Sequence, residues 1–374
     1  MSGSPSKSGP ILCLCQEDNH RKIIPSYADA FRSLGVSFVP VDWSPPFNAS
    51  IDDLLSHCSE RPAWIFHFES DFPLFPDGLE KCEVPTVSFH IDTYVAPRRR
   101  MRWASLFDHV AVFHPGYDAI FRKRGHPGAF LHPHAVRRDF FERTEVPREF
   151  EVGWVGQVEG AIYRKREQWI PKLSAAFRMN DWRRPYSLAE VADVYRRSRI
   201  VVNFGRDDFP QDANMRVFEV LASGALLVTS LPSELTELGF VDGVHFIGYG
   251  NEREIIPIVR RFLDDEAARA GIATAARTKV LADHTYEARA RQTLERLREA
   301  GDRKLAPART WSASDAGLVY VDYFAAHGRS DFAGLEYRRI AGRSIRATLK
   351  GATLLVKSQL SGSLTRWKSR RARA

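Results

Sequence analysis

The feature that most constrains the fold is an alternation between short apolar runs and longer amphipathic segments in the first third of the chain. The apolar runs are ILCLC at 11–15, VSFVPV at 36–41, AWIFHF at 63–68, TVSFHI at 86–91 and HVAVFH at 109–114. Strands that are apolar on both faces and are separated by helices form parallel sheets with right-handed crossovers and helices on both sides. The alternation therefore predicts an α/β, Rossmann-like domain over residues 10–136.

The alternation stops and then restarts in the middle of the chain. Residues 137–150 are charged and contain proline, which predicts an interdomain linker. The strand pattern then resumes with EVGWVG at 151–156, IVVNF at 200–204 and ALLVTS at 225–230. A length of 374 residues suits two domains, so we predict a second Rossmann-like domain over residues 151–300. Two such sheets are expected to face each other across a ligand-binding cleft.

The remaining residues, 301–374, are expected to form a C-terminal extension. Within it, 306–337 shows no clear periodicity and is predicted to be a mixed linker with some strand character. Eleven basic residues and no acidic residue follow Glu336. Subtracting these eleven charges from the net charge of +8 leaves the first 337 residues at −3. The charge of the body therefore argues against nucleic-acid binding, and the basic character belongs to the tail.

Composition also bears on the compartment. No apolar stretch approaches the length of about 20 residues that spans a bilayer, and the first residues, MSGSPSKSGP, lack the apolar core of a secretory signal. The four cysteines are few and irregularly spaced, which argues against a disulfide framework or a metal site. We therefore expect a cytoplasmic protein.

The most informative stretch is residues 200–230, which is typical of a strand, a polar loop, a helix, a glycine turn and a second strand. At about 100° per residue, Arg216, Glu219 and Ser223 share one face of the helix. A helix N-terminus near Asn214 would offer amide donors and a positive dipole end to a phosphate. The spacing alone fits a simpler hypothesis equally well: Asp212 or Asn214 caps the helix, Arg216 and Glu219 form a surface pair, and Gly224 ends the helix.

The string from Asn214 to Thr229, NMRVFEVLASGALLVT, resembles the hallmark of the CgeB-like, spore-maturation-type glycosyltransferases of the GT-B class. Those families carry Asn-x-Arg-x-Phe-Glu, then small residues, a glycine and an apolar strand. GWVGQ at 153–157 and the run at 111–136 resemble the same family, so the resemblance covers about residues 60–300. It implies the GT-B fold, a nucleoside diphosphate sugar as co-substrate, no cofactor and no essential metal ion.

The resemblance also implies roles for individual residues. Glu219 matches the glutamate that holds the ribose hydroxyls of the donor, and Gly224 matches the glycine of the donor site. Many relatives carry a second glutamate eight positions earlier that contacts the sugar. This chain has Gln211 there, with Asp212 beside it, which leaves the sugar contact and the stereochemical outcome open.

A diphosphate leaving group needs positive charge, and the resemblance implies that basic residues after a glycine turn supply it. Here the turn is Gly156 to Gly160, and we predict Arg166 or Arg164 as the diphosphate ligand with Arg216 in support. The alternative is a solvated basic first turn of a surface helix. Asp207 and Asp208 are not predicted to bind a metal, because adjacent acidic residues are common in polar loops.

In the first domain, His90 and Asp92 stand at the end of the strand TVSFHI, where they are predicted to contact or deprotonate the acceptor hydroxyl. The alternative is a capping pair at a strand end. In the tail, apolar residues recur every three or four positions between Ser344 and Trp367, with basic residues opposite. Such a helix is expected either to lie on an anionic membrane surface or to dock on the core of the protein. The apolar positions are Ile345, Leu349, Ala352, Val356, Leu360, Leu364 and Trp367.

The sequence therefore predicts a glycosyltransferase that moves sugar from a nucleoside diphosphate sugar to a hydroxyl of a glycan, a lipid-linked acceptor or a small molecule. A peripheral position at the inner face of the membrane is expected if the tail binds lipid. A different hypothesis is a non-catalytic sugar-nucleotide-binding or scaffold protein, in which Gln211 marks a degenerate site. A GT-B epimerase is less favoured, because no matching cluster of catalytic acids is present.

Overall fold

A computed structural model describes residues 9–16, 23–41, 49–69, 74–141 and 146–357. Contacts divide the chain into two units, one formed by residues 1–131 with 296–374 and the other by residues 132–295. The predicted boundaries at 136, 150 and 300 differ from this division. The main difference is that the segment after residue 300, expected to be an extension, groups with the first unit.

The first unit contains a parallel sheet of six strands in the order β2-β1-β3-β4-β5-β6. The strands are β1 (Ile11–Gln16), β2 (Phe38–Val41), β3 (Trp64–Phe68), β4 (Thr86–His90), β5 (His109–Val112) and β6 (Ala129–Leu131). All residues of β3, β4 and β5 are buried, which explains their apolar character on both faces. The five predicted runs all form strands, and the Rossmann-like prediction for this part of the chain is confirmed.

Four helices connect these strands: α1 (Ile24–Ser33), α2 (Ile51–Ser56), α3 (Pro97–Ala104) and α4 (Pro115–Lys123). Helix α2 begins with a capping box, in which the Ser50 hydroxyl and the Asp53 carboxylate each accept a backbone N–H of the other residue. Helices α3 and α4 begin with proline, which suits the first helical turn because its missing N–H would have no partner there.

The second unit contains a four-stranded parallel sheet in the order β10-β9-β8-β7. Its strands are β7 (Phe150–Gly153), β8 (Ser198–Asn203), β9 (Leu226–Ser230) and β10 (Ile247–Tyr249). The helices are α5 (Arg164–Ala176), α6 (Leu188–Arg196), α7 (Met215–Ser223), α8 (Glu234–Glu237), α9 (Ile255–Asp264), α10 (Glu266–Asp283) and α11 (Tyr286–Ala300). Helix α7 packs against α10 on one apolar cluster, and α5 and α9 contribute to another.

Three further helices follow in the segment that groups with the first unit: α12 (Ala313–Ala326), α13 (Ser330–Ile340) and α14 (residues 345–357). The prediction of a mixed linker with strand character over 306–337 is therefore wrong. Tyr323 of α12 stacks on Phe75 with ring centroids 3.6 Å apart, and its hydroxyl lies 3.1 Å from Nε2 of His67 in β3. These helices are thus part of the core of the first unit.

Helix α14 docks on the same core through one face only. Ala347 is buried, and Leu354 and Leu355 pack against the cluster. Gly351 lies against α13, because a Cβ atom there would stand 2.5 Å from Cδ2 of Tyr337. The predicted stripe is on a different face: Ile345, Leu349 and Val356 are 82%, 65% and 54% exposed. Leu360, Leu364 and Trp367 lie outside the described residues.

No helix within the described residues is long and apolar enough to cross a membrane.

A buried carboxylate joins α12 to α3. Asp322 is 1% exposed and accepts hydrogen bonds from Nη2 of Arg102 at 2.9 Å and from Nε1 of Trp103 at 3.1 Å.

Because Asp322→Ala leaves these donors without their charged partner, we expect it to lower the free energy of unfolding by about 3 kcal/mol, measured by urea denaturation. Asp331→Ala removes an exposed carboxylate paired with Arg329 and is expected to cost less than about 1 kcal/mol. Equal effects of the two substitutions would contradict a stabilising role for the C-terminal helices.

Candidate functional site

The segment from Asn203 to Ser230 has the predicted order of elements. Strand β8 ends at Asn203, a loop leads to Asn214, helix α7 ends at Ser223, and β9 follows. Gly224 has a φ of 76°, in the left-handed region that glycine adopts without steric cost. With a rise of about 1.5 Å per residue, it lies about 15 Å along the helix from Asn214.

Gly224 is therefore an ordinary helix-ending glycine, and its predicted place in the donor site is wrong. Its carbonyl accepts a hydrogen bond from Nη2 of Arg148, whose Nη1 donates to the carbonyl of Ser198 at the start of β8. This contact puts Gly224 at the amino edge of the sheet. Ligands of parallel α/β sheets bind at the opposite, carboxyl edge, where Asn214 lies.

Arg216 is held at the carboxyl edge of the sheet by three neighbours. Its guanidinium carbon lies 4.9 Å from the ring centroid of Trp154, and Nη1 donates to Oδ1 of Asn203 at 3.2 Å. The loop at Gly156 approaches the guanidinium closely. A Cβ atom at this position would stand 2.4 Å from Nη2 of Arg216, so the absence of a side chain on Gly156 makes room for the guanidinium. The side chain is half-buried and its position is fixed by β7 and β8.

Asn203, which the sequence reasoning missed, ties three strand ends together. Its Nδ2 donates to Oγ1 of Thr229 at 3.0 Å, and its carbonyl accepts from the hydroxyl of Tyr249 at 3.0 Å. The side chain is fully buried. Asn203 could have been identified from the sequence, because it is a polar residue directly after the apolar residues of β8. In this class of fold, the carboxyl ends of strands carry binding residues.

Glu219 lies one turn after Arg216 on the same face of α7 and is half-buried. Both residues act on the phenol of Tyr195. Burial raises the pKa of Tyr195, and the charges of Arg216 and Glu219 act on that pKa in opposite directions, Arg216 lowering it and Glu219 raising it. The third predicted member of this face, Ser223, is buried instead: its hydroxyl donates to the carbonyl of Val220 at 2.7 Å. The polar face of α7 therefore consists of a cation and an anion.

The loop before α7 brings a second group of polar side chains to the start of the helix. Asn214 occupies the N-cap position, but its side chain forms no capping hydrogen bond. Its Nδ2 donates to Oδ2 of Asp212 at 3.3 Å, and its buried Oδ1 has no hydrogen-bond partner among the described residues. The simpler hypothesis of a capping Asn214 is therefore wrong, and an amide group at the helix start keeps an unused acceptor.

Gln211, Asp212 and Glu234 surround the same loop. The backbone N–H of Glu234 donates to the carbonyl of Gln211 at 2.9 Å, and Oε2 of Glu234 accepts from the N–H of Ala213 at 3.2 Å. Asp212 and Glu234 are 6% and 3% exposed. Glu234 was not identified from the sequence because it lies in the short helix α8, beyond the quoted motif. It holds the loop that carries Gln211 and Asp212.

Arg166 serves the loop rather than the ligand. It is 4% exposed, its Nε and Nη2 donate to the carbonyl of Phe204, and its Nη1 donates to the carbonyl of Gln157. Burial and the nearby charge of Arg216 lower its pKa to about 10. Three of its five N–H groups bind backbone carbonyls, which favours a structural role for Arg166 over the predicted contact with the diphosphate. Arg216 takes its place as the main candidate.

The remaining charged residues of this region have surface roles. Arg164 is exposed, and its backbone N–H donates to Oδ2 of Asp207 at 2.7 Å, so Asp207 caps the start of α5. Asp208 accepts two hydrogen bonds from Arg206, at 2.9 and 2.8 Å. The side chain of Arg164 remains available as a second cation beside the Gly156–Gly160 turn.

In the first unit, His90 and Asp92 have different environments. His90 ends β4 as predicted, but it is 3% exposed and its ring packs against Phe121. Burial, with the charge of His126, lowers its pKa to about 3. A buried imidazole of such low basicity is unsuited to take a proton from an acceptor, which argues against the prediction of His90 as the base. Asp92 is exposed in the turn after β4 and accepts from the Tyr94 hydroxyl at 3.2 Å.

His90 is one of several buried histidines, and they predict sensitivity to acid. The pKa of His67 and that of His90 are each about 3 in the folded chain, below the ordinary value of 6.5. The unfolded chain binds more protons between these values, so stability is complete above pH 6.5 and falls as the pH drops towards 3. The slope of the unfolding free energy against pH is proportional to the number of extra protons that the unfolded chain binds. We expect His90→Phe to lower that number by about one in this window. The slope is measured by urea denaturation of the wild type and of His90→Phe between pH 3 and pH 6.5.

Comparison with known proteins bears on the second unit and on the fold. Residues 137–295 match the family model described as glycosyl transferase-like. HepE of Anabaena, solved with UDP and glucose, is similar in structure with a TM-score of 0.53 and 13% identity over 77% of this chain and 99% of that chain. The structure of the same protein with UDP-glucose has a TM-score of 0.51 and 12% identity, over 78% of this chain and 100% of that chain. Sucrose-phosphate synthase of Thermosynechococcus elongatus has a TM-score of 0.51 and 11% identity, over 77% of this chain and 98% of that chain.

No curated protein sequence matches the chain. The solved structures show that the chain has the GT-B fold of glycosyltransferases, with two Rossmann-like units and a helical C-terminal region. The predicted fold class is confirmed. The family match falls on the unit that carries Arg216 and Glu219.

Proposed function

We propose that this protein is a glycosyltransferase that uses a nucleoside diphosphate sugar as donor. The observation that carries the proposal is the side-by-side display of Arg216 and Glu219 on α7, at the carboxyl edge of the second sheet. The match of residues 137–295 to glycosyl transferase-like proteins supports it, as do the complexes of HepE with UDP-glucose. The string from Asn214 to Thr229 further favours the CgeB-like subfamily.

Each group of the site has a distinct task in the proposal. The Glu219 carboxylate accepts hydrogen bonds from the two ribose hydroxyls, because a carboxylate offers two acceptor oxygens in one plane. Arg216 binds the diphosphate, supported by the first amides of α7 and, at longer reach, by Arg164. Asn214, Gln211 and Asp212 lie at the start of α7 and contact the sugar. No cofactor or metal ion is part of the proposal.

The transfer step follows from these roles. The acceptor oxygen forms a bond to the anomeric carbon, the bond from that carbon to the phosphate oxygen breaks, and the diphosphate leaves with the electron pair. Arg216 stabilises the charge that develops on the leaving group. The acceptor hydroxyl loses its proton to a base, and Asp92 is the candidate because its carboxylate is exposed at a strand end of the first unit. The acceptor is a hydroxyl of a glycan, a lipid-linked glycan or a small molecule.

The test is incubation of the full chain with UDP-, GDP- and dTDP-sugars, and with a CMP-sugar as the monophosphate control, followed by chromatographic detection of released nucleotide with and without acceptor hydroxyls. Release from one class of donor is expected. Asp92→Asn should keep the affinity for that donor and lose transfer, because only the proton acceptor is removed. If a donor binds tightly but is never cleaved, the non-catalytic hypothesis replaces this one.

We further propose that the protein works at the inner face of an anionic membrane. Helix α14 docks through Ala347 and Leu354 and leaves Ile345, Leu349 and Val356 exposed to solvent. Basic side chains follow the flank of this stripe: Arg346, Lys350 and Lys357. An exposed apolar stripe bordered by cations is the pattern of helices that lie in a lipid interface.

Loss of the stripe is expected to weaken membrane binding. Ile345→Ser with Leu349→Ser removes two exposed apolar side chains, and each would contribute more than about 1 kcal/mol on burial in lipid. Cosedimentation with phosphatidylcholine–phosphatidylglycerol vesicles should fall by about tenfold or more. The matched control is Val241→Ser with Leu335→Ser, which removes exposed apolar side chains elsewhere. Unchanged cosedimentation of the Ile345 and Leu349 variant would exclude the membrane proposal.

A further inference from the structure

A pocket of about 470 Å³ lies within the first unit, outside every residue assigned above to the donor or acceptor. Three segments form its walls: α3, the start of α12 with the residues just before it, and one flank of α14. The side chains that give it its chemical character are Arg102, Trp311, Asp315, Arg346, Lys350 and Leu354. Its volume suits a ligand of the size of a small phosphorylated molecule or a lipid headgroup.

Positive charge dominates the pocket. Arg346 and Lys350 stand four residues apart on α14, so like charges face each other across one helical turn and repel. Within the described residues, neither side chain forms an ion pair or a hydrogen bond. Arg102 donates to Asp322 but keeps 52% of its side chain exposed. The repulsion between Arg346 and Lys350 would be relieved by a bound anion.

Two carboxylates offset part of this charge: Asp322 pairs with Arg102 from outside the pocket lining, and Asp315 lines the pocket. Asp315 is the one carboxylate lining the pocket, and it is engaged locally: Oδ2 accepts from the Ser312 hydroxyl at 2.8 Å. The Ser312 hydroxyl in turn accepts from the N–H of Asp315 at 3.1 Å and so caps α12. The N-terminal end of α12 thus faces the same region, and its dipole adds partial positive charge. Three cations therefore share the pocket with one carboxylate that is already hydrogen-bonded.

We propose that this pocket binds a phosphoryl group. Two arginines offer planar forks that match phosphate oxygens, and the lysine adds a point charge, so the set suits an oxyanion better than a neutral sugar. Trp311 supplies an apolar wall for the group attached to the phosphate. The site is independent of the proposed transfer reaction, because none of its residues belongs to the second unit. Its ligand is either a soluble phosphorylated molecule or the headgroup of a phospholipid.

The position of the cations on α14 links the pocket to the exposed stripe. At about 100° per residue, Arg346 and Lys350 lie between the docked face, with Ala347 and Leu354, and the exposed face, with Ile345. A phosphate in the pocket would therefore lie beside the stripe at the level of a lipid headgroup. This geometry makes the two sources separable by experiment.

The test uses the full chain and a pair of variants that remove equal charge. Arg346→Gln with Lys350→Gln strips the pocket, whereas Arg338→Gln with Arg343→Gln removes two exposed cations of the C-terminal segment that neither line the pocket nor flank the exposed stripe. In the first arm, glycerol 3-phosphate is titrated and followed by ³¹P nuclear magnetic resonance. In the second arm, vesicles of phosphatidylcholine with and without phosphatidylglycerol are used. Thermal unfolding of each variant confirms that it is folded.

The pocket variant is expected to lose affinity by about tenfold or more in at least one arm, while the matched variant stays near wild type. Loss for glycerol 3-phosphate assigns a soluble phosphorylated ligand, and loss only for anionic vesicles assigns a headgroup. Arg216→Ala separates this site from the donor site, since it should leave both arms unchanged. The proposal is overturned if the two charge-matched variants behave alike, if neither probe binds, or if Arg216→Ala alone abolishes binding.

Discussion

Glu219→Ala is expected to weaken binding of the donor nucleotide by about a hundredfold. The carboxylate accepts two charge-assisted hydrogen bonds in the proposed complex, each contributing about 1.5 kcal/mol or more, and alanine replaces neither. Isothermal titration with the nucleoside diphosphate of the preferred donor measures the loss directly. Thermal stability without ligand should change little, because Glu219 is half-buried and outside the apolar cluster of α7.

Two further substitutions make this result specific. Glu219→Asp keeps the charge but shortens the side chain by one methylene, so it should recover part of the affinity. Glu237→Ala removes an exposed carboxylate of the same unit and should leave the dissociation constant unchanged. If Glu219→Ala binds the nucleotide as tightly as the wild type, the carboxylate does not hold the ribose and the assignment of α7 fails.

The second large effect is expected on the chemical step. Arg216→Ala should lower kcat by about a hundredfold to a thousandfold, because a fixed cation at the diphosphate stabilises the departing charge. The side chain is pre-positioned by Trp154 and Asn203, so little reorganisation accompanies the reaction. Arg216→Lys should recover only part of the rate, since an ammonium group lacks the planar fork and the stacking of a guanidinium.

Single-turnover rates with saturating donor measure this effect apart from binding. Arg184→Ala, which removes an exposed arginine paired with Glu190, supplies the control and should leave kcat unchanged. Gly156→Ala supplies an independent variant, because the new Cβ would lie 2.4 Å from Nη2 of Arg216 and displace it. A normal rate in both Arg216→Ala and Gly156→Ala would rule out this cation as the stabiliser of the leaving group.

The sequence predicted most of the sheets, because parallel strands buried on both faces have an unmistakable composition. The runs that became β3, β4 and β5 have no exposed position at all. The order of β8, α7, Gly224 and β9 was also predicted, since a strand, a polar loop, an amphipathic helix and a glycine each have their own local signal. These signals come from residues that are close together in the chain, so they can be recognised from the sequence alone.

The errors share a different physical cause, namely burial by distant parts of the chain. Arg166 reads as an exposed helical cation, but the carbonyls of Phe204 and Gln157 bind it. His90 stands at a strand end as expected, yet the ring is enclosed by Phe121. Gly224 lies in the string that resembles the CgeB-like motif, and the length of α7 places it at the amino edge of the sheet, away from the edge where ligands bind. Such outcomes depend on which residues meet in three dimensions.

The C-terminal helices escaped prediction for a related reason. Nine consecutive residues of α12, from Ala316 to Phe324, are buried, so the helix has no polar face to give a period of 3.6 residues. The apolar stripe of α14 was found, but the face that docks is the one with Ala347, Gly351 and Leu354. Small residues at a close helix contact contribute little to a hydrophobic pattern. The larger apolar residues of the exposed stripe therefore dominated the pattern in the sequence.

The location of the donor is tested most directly by hydrogen–deuterium exchange of the full chain with and without the nucleoside diphosphate that binds best. We expect slower exchange in the loop after β7, at residues 154–163, and in the loop and first turns of α7, at residues 204–219. The first unit, including residues 97–102, should be unaffected by the nucleotide alone. Protection confined to the first unit, with exchange at residues 204–219 unchanged, would contradict the account.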